Sequence, residues 1–167
     1  MNIRRFRAGD LPHVIALFSA SVHGLAGAHY DARQRAAWAP AEPDQKLWQA
    51  RLERQQTLVA EDEGVLTGFI SWAPNGHIDL LFTAPQHARK GIASALCTQV
   101  EAALSATGIN TAFTEASLVA RPFFERRGFV VTEAQDLDRN GVRFRRYAMQ
   151  KTLTARLPPE MPPLPEA

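Results

Sequence analysis

The stretch Thr83-Ala-Pro-Gln-His-Ala-Arg-Lys-Gly-Ile-Ala-Ser-Ala-Leu96 constrains this chain more than any other segment. It starts where the apolar run Ile78 to Phe82 ends, turns at Pro85, passes Arg89 and Lys90, and crosses Gly91 into an alanine-rich helical pattern. A strand must therefore pass through a tight loop into a helix start. The first N–H groups of a helix have no intrahelical partner and carry positive partial charge, so a loop bearing two cations at that point invites a phosphate. Gly91 would let an anion come up to the amides of Ile92, Ala93 and Ser94, and the small side chains at 93 and 94 continue that close approach. An ordinary solvated loop before a capped helix fits the same residues. Two familiar cradles do not: a nucleotide P-loop needs Gly-Lys-Ser/Thr where this chain reads Lys-Gly-Ile, and a dinucleotide fingerprint needs three spaced glycines where one is present.

Along the chain, Asn2 to Arg7 reads as a basic first strand suited to a sheet edge. Asp10 stands in N-cap position for a helix with Leu11, Val14, Ile15, Phe18 and Val22 at helical spacing, ending near Gly24 to Gly27. Asp31 caps a short helix that carries Gln34 and Trp38, stopped at Ala39-Pro40, and a third helix runs from Asp44 to about Gln55. From Thr57 the period changes. Thr57 to Glu61, Leu66 to Ala73 and His77 to Thr83 read as an antiparallel meander, and the adjacent Leu80 and Leu81 hint at a bulge. A helix over 91 to 105 leads to a strand at Thr111 to Ala116, parallel to its predecessor because a whole helix joins them. Leu118 to Arg127 reads as helix, and Phe129 to Leu137 with Val142 to Met149 as a hairpin around Asn140-Gly141. The proline-rich tail, Leu157 to Ala167, is expected to be extended or disordered. This order predicts an α/β (α+β mixed-sheet) layer fold, mostly antiparallel with one parallel pair.

The length of 167 residues suits one domain, expected over residues 1–151 with a tail at 152–167. A single cysteine, Cys97, allows no intrachain disulfide, and with no apolar run long enough to span a bilayer the default is a cytoplasmic protein that does not use a membrane. Cys97 itself reads as a small buried thiol. The net charge of +2 gives no argument for nucleic acid. Arg143, Arg145 and Arg146 on the last strand could be read as a nucleic-acid surface, but alternate strand residues face opposite ways and no aromatic stacking platform accompanies them.

A second block reads Ser117-Leu-Val-Ala120-Arg-Pro-Phe123-Phe124-Glu125-Arg-Arg-Gly128-Phe129. Together with Pro85, Gly91 and Ala93 of the first block, it resembles the GNAT superfamily of acyl-CoA-dependent N-acyltransferases over roughly residues 1 to 151. Ala88 stands where that family usually has Gln or Arg. The resemblance implies acetyl-CoA as cosubstrate, its pyrophosphate held at Arg89, Lys90, Gly91, Ile92, Ala93 and Ser94, and its pantetheine between two splayed central strands. It also implies main-chain amides around Phe82 and Thr83 for the acyl carbonyl. Ser117 takes the place of a family asparagine that can reach the coenzyme, though a serine there is equally a helix cap. Phe124 replaces the tyrosine that usually protonates the departing thiolate, so that role does not carry over.

Transfer of an acetyl group to an amine needs a neutral nucleophile, a base, and a donor for the carbonyl oxygen. His77 and Asp79, two apart on the strand that leads into the coenzyme loop, are the candidate bases, with Glu115 a third. Their alternative role is that of ordinary solvated or hydrogen-bonded strand residues. His23, His29, Tyr30, Gln34, Trp38 and Trp72 form the polar-aromatic set expected around an acceptor amine. The histidines lack enough partners for a metal site. The expected activity is acetyl transfer to a primary amine of a small molecule or an exposed peptide terminus. The alternative is a catalytically weak acyl-CoA sensor. A homodimer is compatible with either.

Overall fold

The computed structural model describes residues 1–154, so the expectation for the tail beyond them lies outside the described residues. Seven strands form one sheet in the order β1-β2-β3-β4-β5-β7-β6. They are β1 (Asn2–Arg5), β2 (Gln56–Asp62), β3 (Val65–Trp72), β4 (His77–Thr83), β5 (Thr111–Ser117), β6 (Val130–Arg139) and β7 (Val142–Thr152). The helices are α1 (Leu11–Leu25), α2 (Ala32–Trp38), α3 (Gln45–Arg54), α4 (Ile92–Ala106) and α5 (Arg121–Arg126). All strand pairs are antiparallel except β4 with β5. The mixed α/β layer fold expected from the sequence is the one found.

Strand alternation divides the core into two faces. Ile70 and Ile78 pack with Leu96 and Val100 of α4 on one side, while Phe69 and Leu80 pack with Val14 and Phe18 of α1 and Leu52 of α3 on the other. Full burial of such side chains contributes roughly 1.5–3 kcal/mol each, which fixes α1 and α3 against one face and α4 against the other.

Local chemistry sets the helix ends. Asp31 accepts from the Gln34 amide at 2.8 Å while the Gln34 side chain accepts from the Asp31 amide at 3.0 Å, a reciprocal cap for α2. Asp44 caps α3 through the Leu47 amide at 3.1 Å. Asp10 does not cap α1 with its side chain. Its carboxylate instead accepts two bonds from Arg4, at 2.8 and 2.9 Å, and one from the Arg7 amide at 2.7 Å, because a fork of donors outcompetes a single amide. α5 starts three residues later than the sequence suggests, since Ser117 Oγ accepts from the Ala120 amide at 3.1 Å and holds 118–120 as a turn.

The parallel pairing of β4 with β5 covers only His77↔Phe113 and Ile78↔Thr114. Beyond that point β5 stays paired to β7 along its whole length, and β4 stays with β3. On β4 the register steps from Ser71↔Leu80 to Trp72↔Ile78, leaving Asp79 as the extra residue of a bulge. A bulge adds twist to its strand, and β4 therefore swings away from β5. The expected irregularity falls at Asp79, one residue before the Leu80-Leu81 pair that suggested it.

Candidate active site

The coenzyme loop begins where β4 ends. Pro85–His87 form one 3-10 turn, Arg89 adopts φ 59, and Gly91 caps α4 at φ 82. Two left-handed residues within three positions turn the chain sharply into the helix, whose first backbone bond runs from the Ala95 amide to Gly91 O and leaves the amides of Ile92, Ala93 and Ser94 without an intrahelical partner. A Cβ built on Gly91 meets nothing within 4 Å, which leaves the space over those amides clear. The Arg89 and Lys90 side chains are exposed beside it, and among the described residues neither has an ion-pair partner. Ile92 points the other way, into the core, and anchors the helix start. These residues fit a diphosphate: a cradle of amides, two free cations and no side chain in the way.

The divergence of β4 from β5 leaves a cleft of about 160 Å³. The Ala84 amide donates to Thr67 O at 2.9 Å, and with the register Phe69↔Phe82 this phase turns the Phe82 amide toward β3 as well. The amides between them, of Leu81 and Thr83, point to the edge that β5 has left. Phe82 contributes its ring instead, stacked on Phe69 and edge-on to Phe18.

Three ionisable side chains stand on the cleft side that faces α1 and α3. Glu115 lines the cleft, and its Oε2 lies 2.5 Å from His77 Nε2, whose ring stacks on Phe113 at 4.9 Å between centroids. Asp79 also lines the cleft but is held by Arg51 of α3 in a bidentate pair, at 2.6 and 2.7 Å. Burial pushes the Asp79 carboxyl up, but the Arg51 hydrogen bonds and charge outweigh it and hold it below the ordinary carboxylate range. His77 and Asp79 do share a face, as their spacing suggests. They differ in partner: one is tied to a carboxylate and the other to a guanidinium.

The expected acceptor residues separate. Trp38 and Tyr30 line the cleft, together with Phe18, Phe82 and Phe144. The Tyr30 hydroxyl accepts from the Leu118 amide at 2.9 Å and donates to Arg145 O at 3.3 Å, which ties the chain before α2 to the ends of β5 and β7. Gln34 spends its side-chain N–H₂ on Arg143 O at 3.1 Å, and His23 Nε2 lies 2.9 Å from Ala39 O, so both brace α2. His29 is exposed in the turn before α2. Trp72 packs in the α4-side core and lines neither this cleft nor the groove between α1 and α3, because alternation along β3 gives Ile70 and Trp72 that face. Ser117 and Phe124 both line the cleft. Phe124 is buried against Phe123 and Phe129. Cys97 is fully buried and burial pushes its thiol up to about 12, which makes it inert. Among the described residues no cluster of three potential metal ligands exists. No helix among them is long and apolar enough to cross a membrane.

Sequence reading missed Arg51 and Arg139, which also line the cleft, and it considered Arg145 and Arg146, which line it too, only as a surface for nucleic acid. Arg51 stands among the polar residues of a helix, and Arg139 immediately precedes the Asn140-Gly141 turn. No local pattern marks either of them.

A central strand pair that opens beside a phosphate-ready helix start defines the fold of acyl-CoA-dependent N-acyltransferases. The chain belongs to the GNAT acetyltransferase family: the family model described as an acetyltransferase (GNAT) domain matches residues 27–152. It is 33% identical over 150 residues to YafP, an uncharacterized N-acetyltransferase of Escherichia coli (strain K12), covering 90% of this chain and 95% of that one. A GCN5-related N-acetyltransferase from Rhodopseudomonas palustris superposes with a TM-score of 0.88 at 32% identity, covering 91% of this chain and 95% of that chain. The PaiA N-acetyltransferase of Thermoplasma acidophilum, solved with coenzyme A, shares the fold at a TM-score of 0.70 and 21% identity, over 90% and 98% of the two chains.

Proposed function

We propose that this protein transfers an acetyl group from acetyl-CoA to the primary amine of a small molecule or an exposed peptide terminus, by direct attack of the amine. The observation that carries the reading is the cleft where β4 leaves β5, lined by Glu115 and by Asp79, which stands on the strand whose end leads through the loop into the open amides of α4. Acetyl-CoA supplies the thioester. The Leu81 and Thr83 amides, directed at the free edge of β4, stabilise the negative charge that develops on the acyl oxygen. Glu115, held by His77, takes the proton that the amine must lose, and the pair shares the resulting charge. Asp79, kept anionic by Arg51, attracts the incoming ammonium and is too weak a base to be the main proton acceptor. Phe124 has no proton to give, so the thiolate departs unassisted at that position or takes a proton from water. The same phenylalanine favours the rival reading, a coenzyme sensor without turnover. A reducing cytoplasm suits the single, buried cysteine.

The test is thiol release from acetyl-CoA on addition of a panel of primary amines. Turnover that is lost in Glu115→Gln supports transfer. Coenzyme binding without turnover on any amine supports the sensor.

A further inference from the structure

The geometry points to an acceptor that carries an oxyanion, a carboxylate or a phosphate, on an apolar body, with Arg139 as the residue that receives the anion. The inference rests on the transferase reading above and names the substrate class of the same cleft.

The charges that face the cleft do not cancel. Four arginines line it, Arg51, Arg139, Arg145 and Arg146, against two carboxylates, Asp79 and Glu115. Asp79 is taken by Arg51 and Glu115 by His77. Arg145 reaches out of the cleft to Asp136 at 3.1 Å, and among the described residues Arg146 bonds only the neutral Gln135, at 2.8 Å. Arg139 is half-buried, and among the described residues it has neither a carboxylate within 4.0 Å nor a hydrogen-bond partner. Its cation is disfavoured by burial first and then by the like charges of Arg51 and Arg146, with only Asp79 opposing them. None of its N–H donors is buried without a partner, so the fork stays open to solvent and an arriving oxyanion meets it without breaking a bond inside the protein. A planar guanidinium fork matches a carboxylate or a phosphate better than it matches any neutral group.

Position adds to charge. Arg139 lines both the cleft and the separate groove between α1 and α3, so it stands at the junction of the two, beside Arg51 and Trp38. An acceptor whose amine reaches Glu115 would pass Trp38, Phe18 and Phe144 and leave its far end at that junction. Aromatic walls favour an apolar body. Glu115 meets the amine end and Arg139 the oxyanion, which orients a zwitterion, while the excess of arginines in the cleft repels a plain polyamine.

Titration calorimetry in the presence of coenzyme A tests this without turnover. The ligands are the N-acetyl derivatives of phenylalanine, leucine, methionine and glutamate, each beside its carboxamide, and the phosphonate analogue of N-acetylphenylalanine. At least one acid is expected to bind 10-fold or more tightly than its amide. That ratio should fall below about 3 in Arg139→Gln and stay unchanged in Arg143→Gln, an exposed arginine of the same hairpin outside the cleft. The phosphonate against the carboxylate decides which oxyanion is preferred. Ratios below 3 for all four pairs, or a ratio that survives Arg139→Gln in a variant that unfolds at the wild-type temperature, overturn the inference. Acids and amides acetylated at equal rates would also overturn it and leave the transferase standing. Discrimination of acid from amide without any transfer would sink only the transferase reading.

Discussion

Gly91→Ala separates a glycine needed by the backbone from one needed by a ligand. Gly91 sits at φ 82 with nothing within 4 Å of a built Cβ, and Gly108, just past the other end of α4, sits at φ 80 with equally empty surroundings. Alanine in the left-handed region costs roughly 1–2 kcal/mol at either position. For a domain of this size each kcal/mol lowers Tm by about 2–4 °C, so both variants should unfold about 2–8 °C below the wild type. The two glycines are separated by the 15 residues of α4, about 22 Å, so only the methyl at 91 lies over the open amides. Losing one charge-assisted bond to a phosphate there costs about 1.5–3 kcal/mol, a 10- to 100-fold weakening of coenzyme A binding. Thermal unfolding and calorimetry on the two variants give both numbers. If Gly91→Ala and Gly108→Ala lose equal stability and bind coenzyme A equally well, the loop does not hold the diphosphate and the reasoning from the helix start is wrong.

Three further outcomes are expected. Glu115→Gln should lower kcat about 100- to 10,000-fold with coenzyme affinity unchanged, and adding His77→Ala should cost little more, because the two act as a unit; wild-type turnover in Glu115→Gln would remove the base. Asp10 is held below its ordinary range mainly by the Arg4 hydrogen bonds. Its folded pKa is thus depressed, so its stabilisation is complete above the unfolded value of about 3.9 and is lost as pH falls through the lower folded value. Asp10→Asn should therefore be less stable at pH 7 and should lose less stability than the wild type in urea titrations below about pH 4; an equal acid decline would refute that account. Gly68→Ala would bring a Cβ 2.7 Å from Ile92 Cγ2 and 3.1 Å from the Phe82 carbonyl, which cannot move without breaking β3–β4 pairing. It should lose about 1–3 kcal/mol and weaken coenzyme binding by shifting the first residue of α4, whereas an unchanged Tm would mean that the contact relaxes freely.

Much of the fold is legible because its signals are local. Hydrophobic period, the Asp31–Gln34 cap and the Asn140-Gly141 turn each act within a few residues, and the structure keeps all three. Asp10 misled for the same reason: its spacing fits a cap, but its partner is Arg4, on a strand that has to fold back first. The loop from Arg89 to Ser94 could be read as a phosphate cradle because strand, glycine and helix start follow one another in sequence.

The chain order by itself determined the elements, the single parallel crossover and a helix start open to an anion, since each rests on contacts between near neighbours. Only the tertiary structure decided which charges meet. Arg51 lies 28 positions from Asp79, and His77 lies 38 from Glu115. Pairs so far apart leave no periodic trace, because their strengths depend on where the twisted sheet brings two side chains and how much water remains between them. Arg139 is the extreme case: it stands out only once the other three arginines of the cleft are seen to bond Asp79, Asp136 and Gln135.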